Sequence, residues 1–308
     1  TSGIGTNACV SSSAASEKTS TSAPSRTARS ASTTISSSRL TSEHGLTWFA
    51  ADYPAHTVHS DGDRSIAGLA RRAAANGLDV LAVTDHNTVS HHPLLAAAGA
   101  AYDITLLPGQ EVTTDRGHAN AFGDIGFVDF RRPAEEWVTQ VAARGGLLSV
   151  NHPLEGDWAW QQPTSTLPPA LELWHIGWFR DLAATAMWAL WQRWRPDAVI
   201  LGGSDFHNPS LGYEPGTPTT WVQAADRSPR AVLAALAAGR TAITRTPRSP
   251  ALLPVDGELV AVDAAGTVLR DVLGRGRPVT GVLRRFPRQG PGPYRLETAG
   301  RELVAVCP

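Results

Sequence analysis

Two cysteines, one methionine and no apolar run long enough to cross a bilayer are what this 308-residue chain offers least of. Cys9 and Cys307 stand near opposite ends, so the chain holds neither a disulfide framework nor a thiolate metal site. A transmembrane helix needs about 20 consecutive apolar residues, and no such run exists. Charge of one sign is missing too: 27 Lys and Arg face 28 Asp and Glu, for a net charge of −1. No basic face argues for nucleic acid, and no polybasic segment argues for a membrane surface. The only Met is Met187 and the chain opens on Thr1, so it reads as processed or as a piece of a longer one. In residues 1–44 large apolar side chains are nearly absent and half the residues are Ser or Thr. Such a segment buries too little apolar surface to offset its ordering entropy and is expected to be disordered. It has no apolar signal core. Its Ser-rich, acid-poor character loosely matches a transit peptide, but the plainer readings, an ordinary tail or mistranslated upstream sequence, are favoured. A cytoplasmic location is expected.

From residue 45 short apolar runs alternate with helical stretches. LTWFAADY (46–53), LDVLAVT (78–84), ITLLPG (104–109), HANAFG (118–123), LLSVNH (147–152), LELWH (171–175) and AVILGGSD (198–205) read as strands. Between them, 65–77, 91–100, 133–146, 182–194 and 228–240 carry helical periodicity, with Gly77 as a stop signal and Pro133 as a start. This alternation predicts parallel strands covered by helices, in a domain spanning 45–246. Periodicity alone does not separate a closed barrel from an open sheet. Residues 247–308, rich in Gly, Pro and Val, read as a small β appendage.

The acids and histidines come in six clusters: HTVHSDG (56–62), TDHN (84–87), GQE (109–111), GHANAFG (117–123), NHP (151–153) and GSDFH (203–207). Nearly every one follows an apolar run where that run meets a turn. Imidazole and carboxylate are ligands for Zn, Mn and Fe. Each cluster alone has a plainer reading: a capped turn at 56–62, a helix cap at 85–87, a surface Glu at 111, a satisfied strand His at 118. All of them together at one end of a sheet do not, because carboxylates crowded without counter-charge are costly to bury, and a dication supplies that charge. In a parallel β/α barrel the active site lies at the carboxyl ends of the strands, where His56, Asp61, His86, Glu111, His152, Asp205 and His207 fall. Contributions from so many strand ends favour the barrel.

These motifs, in this order and spacing, resemble the PHP metallohydrolases. TDHNTVSHHP, LLPGQEVTTDRGHANAFG and GRTAITR look most like that family's carbaryl-hydrolase-like branch. The resemblance covers roughly 46–245. It implies a distorted seven-stranded β/α barrel holding two or three Mn, Zn or Fe ions. One ion would take His56 and Asp205 and share Glu111; a second would take Glu111, His118 and His152; a third would take Asp61, His86 and His207. Water activated on the metals would attack a phosphoester, carboxylester or carbamate, with Glu111, Asp205 and His207 catalytic. Asp85, Asn87, Asn120 and Asn151 would orient the ligands. The chain departs from the family at one place: Pro54 occupies the first position of a His-x-His motif and has no donor. Either that ion binds weakly, or the other ions suffice, or turnover is reduced or lost, leaving a protein that binds metal or a partner.

Phosphate recognition calls for Arg or Lys near the metals, and Arg116 and Arg180 are the candidates. Trp158 and Trp160, in a loop after NHP, are expected to cover an apolar substrate, and His175 to line the pocket. His44, His59, His91 and His92 read as surface residues. No nucleotide-binding glycine loop is present. The partner expected is a small-molecule ester, with neither nucleic acid nor membrane; the sequence leaves the oligomeric state open.

Overall fold

A computed structural model describes residues 42, 45–163, 165–179, 185–195 and 197–308. The expected disorder of 1–44 therefore lies, apart from Ser42, outside the described residues, as do His44 and Arg180.

Strand β1 (Thr47–Asp52) leads through helix α1 (Ile66–Asn76) to β2 (Val80–Val83). The Ser65 hydroxyl accepts the Gly68 N–H to start α1, and Gly77, at φ +95°, ends it by returning its N–H to Ala73 and Ala74. Such a cap is worth about 1 kcal/mol. Ile66, Leu69, Ala70 and Ala73 form its buried stripe; burying Ile66 and Leu69 contributes about 1.5–3 kcal/mol each. Helix α2 (His92–Tyr102), β3 (Thr105–Thr114), β4 (Gly117–Phe122), α3 (Ala134–Ala143), β5 (Leu147–Val150), β6 (Ala170–His175), α4 (Thr185–Arg193) and β7 (Val199–Gly203) follow. Next come β8 (Thr219–Ala224), α5 (Pro229–Ala237) and β9 (Thr241–Thr244).

The sheet is mixed, which corrects the expectation of parallel strands throughout. β1, β2 and β3 are parallel, as are β5, β6 and β7. β4 runs antiparallel to both β3 and β5. The physical reason is the connection: Asp115 and Arg116 alone join β3 to β4, and two residues make a hairpin, whereas a parallel return needs a dozen or more. β8, which the apolar-run reading passed over, pairs antiparallel with β1 and β9.

Closure into a seven-stranded barrel is not detected among the described residues. Among the described residues no backbone ladder joins β7 to a strand on its other side, and β7 ends the sheet. Its free edge is covered by side chains. Thr220 Oγ1 accepts the Gly202 N–H and donates to Gly202 O, both at 2.7 Å, and Thr241 Oγ1 donates to Ile200 O. A single bridge, Ala55 to Phe206, ties the ends of β1 and β7. The approach is so close that a Cβ on Gly203 would stand 1.7 Å from Tyr53 O.

The C-terminal strands are β10 (Ala251–Val255), β11 (Glu258–Val262), β12 (Val268–Arg270), β13 (Gly276–Pro278), β14 (Leu283–Pro287), β15 (Tyr294–Glu297) and β16 (Leu303–Cys307). β16 pairs with β9, which carries β15, β12 and β13 into the main sheet; β10, β11 and β14 form a second sheet. Leu252, Leu259, Phe286 and Tyr294 share one core cluster with Leu69 of α1 and Leu81 of β2. Cys307 is buried and unpaired. No described helix is long and apolar enough to cross a membrane.

Candidate metal centre

The carboxyl ends of β1, β2, β3, β5, β6 and β7 deliver their polar residues to one cleft of about 420 Å³. Glu111, not itself part of the cleft lining, is at the centre of the cluster of ligand-type side chains. Strand β3 runs past Pro108 and lays Glu111 beside the end of β2, where its N–H donates to Thr84 O and its carbonyl accepts the Asn87 N–H. The carboxylate is fully buried. Oε1 is 2.8 Å from His118 Nδ1, 3.5 Å from His152 Nε2 and 3.9 Å from His86 Nδ1. Oε2 faces His56 Nε2 at 3.1 Å. His56 also meets Asp205 Oδ1 at 3.0 Å, and its ring is stacked between His86 and His207 at 4.3 and 4.2 Å. Asp61 completes that stack, 3.6 Å from His86 Nε2 and 3.4 Å from His207 Nε2.

Three groups lie close enough to share an ion each: His56, Glu111 and Asp205; His86, Glu111 and His118; and His56, Asp61, His86 and His207. His152 stands beside the second group, its ring 4.8 Å from that of His118. The donors suit a divalent cation by chemistry and by what surrounds them. Six imidazoles and the carboxylates of Asp61, Glu111 and Asp205 converge, and among the described residues His118 Nε2 and His175 Nε2 are buried without a hydrogen-bond partner. Leaving a buried polar atom unmade costs about 1–3 kcal/mol, which a bound cation would relieve.

Without the ion, imidazoles act as counter-charges. Burial raises the Glu111 and Asp205 carboxyls, but the adjoining histidines hold both well below the usual carboxylate range. Burial lowers His56, and hydrogen bonds to Asp205 and Glu111 more than reverse it.

Backbone support is specific. Asn87, His152 and Asp205 all have positive φ, at +51°, +26° and +49°, a conformation costing on the order of 1 kcal/mol or more outside glycine. Asn87 is held by a two-way pairing of its amide with the Thr113 backbone, and the Thr113 hydroxyl lies 2.5 Å from His86 Nδ1. His152 donates its N–H to Glu172 Oε2 at 2.6 Å; burial pushes that carboxyl up to about 8. Asp85 is a strut: it accepts from the Thr57 N–H, the Thr57 hydroxyl and the Ser60 hydroxyl, and so fixes the turn that carries Asp61. Gly62 in that turn is required, since a Cβ would fall 2.4 Å from His56 O. Asn120 donates to Asn151 at 2.6 Å.

His91, expected at the surface, is buried. Its Nε2 donates to Val83 O and Gly109 O and its Nδ1 faces Asp85 Oδ2 at 3.2 Å. The helix start at His92 turns His91 under the sheet, which alternation of polar residues in the sequence does not reveal. His59 stays partly exposed against Ser90.

Trp158 stands at the cleft mouth, 53% exposed, 5.5 Å from the His118 ring. Trp160 packs instead on the cluster of Val112, Ala119 and Trp137. His175 lines the cleft. Arg116 is exposed on the β3–β4 turn, apart from the cleft lining. Sequence reading missed Glu155, Ile176, Leu211 and Tyr213, which also line it; no cluster of ligand-type residues flags them. It also missed the role of Asp52, which accepts from the Ser204 N–H and hydroxyl and from the Gly216 N–H and so pins the loop before Asp205.

No known protein-family signature matches this sequence, and no curated protein matches it. Among solved structures, the chain is similar to a two-domain protein from Bacteroides vulgatus described as containing a predicted PHP-like metal-dependent phosphoesterase. The TM-score is 0.52 at 17% identity, over 85% of this chain and 87% of that one. A protein from Bifidobacterium adolescentis, named a metal-dependent phosphoesterase, gives 0.42 at 17% identity, over 54% of this chain and 90% of that one. An amidohydrolase from Chromobacterium violaceum gives 0.39 at 18% identity, over 52% and 88%. The first likeness shows that this chain shares the fold of that two-domain protein.

Proposed function

We propose that the chain is a divalent-metal hydrolase of the PHP type, of the carbaryl-hydrolase-like branch, acting on a small-molecule ester. The observation that carries this reading is the position of Glu111, one oxygen turned to His56 and the other to His118, His152 and His86. That is the arrangement a bridging carboxylate needs. His56, Asp61, His86, Glu111, His118, His152, Asp205 and His207 would hold two or three ions of Mn, Zn or Fe. When bound, such ions polarise the scissile C=O or P=O and lower the pKa of water.

The protein's own groups set the rest. Asp205 O accepts from His207 Nδ1 at 2.7 Å, which points His207 Nε2 at Asp61 and the cleft. Trp158, Ile176, Leu211 and Tyr213 make the cleft mouth apolar, and no Lys or Arg is among the described residues that line it. Among the described residues a phosphate dianion would find no guanidinium partner there, which favours an uncharged carboxylester or carbamate over a phosphomonoester. The test is hydrolysis of an aryl acetate, an aryl N-methylcarbamate and an aryl phosphate by metal-loaded protein. Cleavage of the neutral esters in preference to the phosphate is expected; cleavage of the phosphate alone would reverse the substrate assignment. Pro54 favours a second reading, metal binding without turnover, and full metal loading with no cleavage of any ester would support it.

A further inference from the structure

The group formed by His56, Glu111 and Asp205 has three donors. Three protein donors leave the fourth position of such a site to water or to a further side chain. Pro54, two residues before His56 and past the end of β1, contributes none. A further side-chain ligand for this group would have to come from another element.

His175 ends β6, beside the end of β7, with Gly203 as its register partner. Asp205 follows two residues later. The His175 imidazole is 1% exposed, and its Nε2 has no hydrogen-bond partner among the described residues. That nitrogen points at Asp205 Oδ2 across 3.7 Å. The gap is long for a hydrogen bond. It is close to the separation of two donors on one ion: ligands about 2.1 Å from a metal stand about 3–3.5 Å apart. The other ring nitrogen, Nδ1, lies 3.1 Å from Glu155 Oε2 and also accepts the Gly177 N–H at 3.0 Å; for Nε2 to meet a cation, Nδ1 has to carry the proton and donate it to Glu155. Glu155 gets that close because residue 177 is glycine; a Cβ there would stand 2.6 Å from Glu155 Oε1. A carboxylate behind an imidazole is the arrangement that fixes the tautomer of metal-bound histidine and raises its basicity.

We propose that His175, backed by Glu155, is a metal ligand alongside Asp205, and that it supplies from β6 the imidazole that Pro54, past the end of β1, does not supply. The centre keeps its ligand count by recruiting from a strand across the cleft. This rests on the reading of the cleft as a divalent-metal centre. Glu155 is then a positioning residue, and His175 is withdrawn from substrate contact.

The experiment is zinc titration against a chromophoric chelator, for the parent chain, His175→Ala, Glu155→Gln, and His175→Ala combined with Pro54→His. Metal-free thermal midpoints are measured alongside to show that each variant folds. His175→Ala is expected to lose one zinc equivalent or to bind its weakest ion at least tenfold less tightly, about the loss that even a supporting residue causes. Glu155→Gln is expected to weaken the same ion without removing it. Pro54→His is expected to restore the lost equivalent, because both imidazoles serve one position. Cobalt-loaded protein adds a readout that a structural role would leave still: the visible d–d spectrum changes in His175→Ala. Should Pro54→His not fold, free imidazole added to His175→Gly is expected to restore the equivalent. A parent that binds zinc while His175→Ala keeps the same stoichiometry, affinity and cobalt spectrum would overturn the assignment of His175 alone. A parent that binds no zinc would overturn the metal-centre reading and this inference with it.

Discussion

Asp52 and Glu111 show how differently a buried carboxylate can be used. Glu111 sits among imidazoles, held ionised by them and aimed at two clusters. Replacing it with Gln keeps the shape and removes the charge, so Glu111→Gln is expected to lower metal affinity and any ester turnover by at least tenfold. His59→Ala, which removes a partly exposed ring bonded to Ser90, is expected to change neither. Equal losses of bound metal in the two variants would break the assignment. Asp52 instead faces only neutral donors, and burial pushes it up to about 6 from an ordinary 3.8. Its folded pKa thus lies above its unfolded one. The stability it contributes is full below about pH 4 and is lost as pH rises towards 6, on the order of 3 kcal/mol in all. Asp52→Asn removes that titration, at the cost of setting an amide against the Gly216 N–H. Urea midpoints of metal-free protein between pH 4 and 7 are expected to fall more for the parent than for Asp52→Asn. Parallel profiles would show that Asp52 does not titrate there.

At the scale of elements, the apolar runs and their caps were legible: Ser65 and Gly77 bound α1 as their chemistry requires, and each cluster of acids and histidines follows a strand. Two elements were not. TTWVQA and TAIT are short and threonine-rich, and polarity hid that β8 and β9 are buried along their full length. Thr220 and Thr241 spend their hydroxyls on the edge of β7, a use that only the fold reveals. For the same reason the β1–β7 seam was unreadable, although the sequence carries its device in Gly203. Gly203→Ala is expected to destabilise the chain by roughly 3 kcal/mol or more, because backbone as well as side chain must shift. A fall in the thermal midpoint together with lost metal is the expected result, since Asp205 follows two residues later. A variant as stable as the parent would show that the seam opens freely.

Over the whole molecule, the 247–308 strands extend the main sheet through β16 on β9 and share a core with α1 and β2. Composition alone marked this stretch as different and gave no sign of where it docks. Differential scanning calorimetry of residues 42–308 is expected to show one cooperative transition; two separated transitions would mean the C-terminal strands fold independently. That these side chains converge was legible because ligand chemistry is written in residue types, and Pro54 stood out for the same reason. What sequence spacing did not convey is which imidazole pairs with which carboxylate, since that depends on register and strand order. The central claim is that these side chains hold divalent metal. Elemental analysis of protein purified without chelator and reconstituted with Mn or Zn tests it most directly. Two or more equivalents per chain, falling in Glu111→Gln, is the result this account predicts; less than one equivalent in the parent after reconstitution would contradict it.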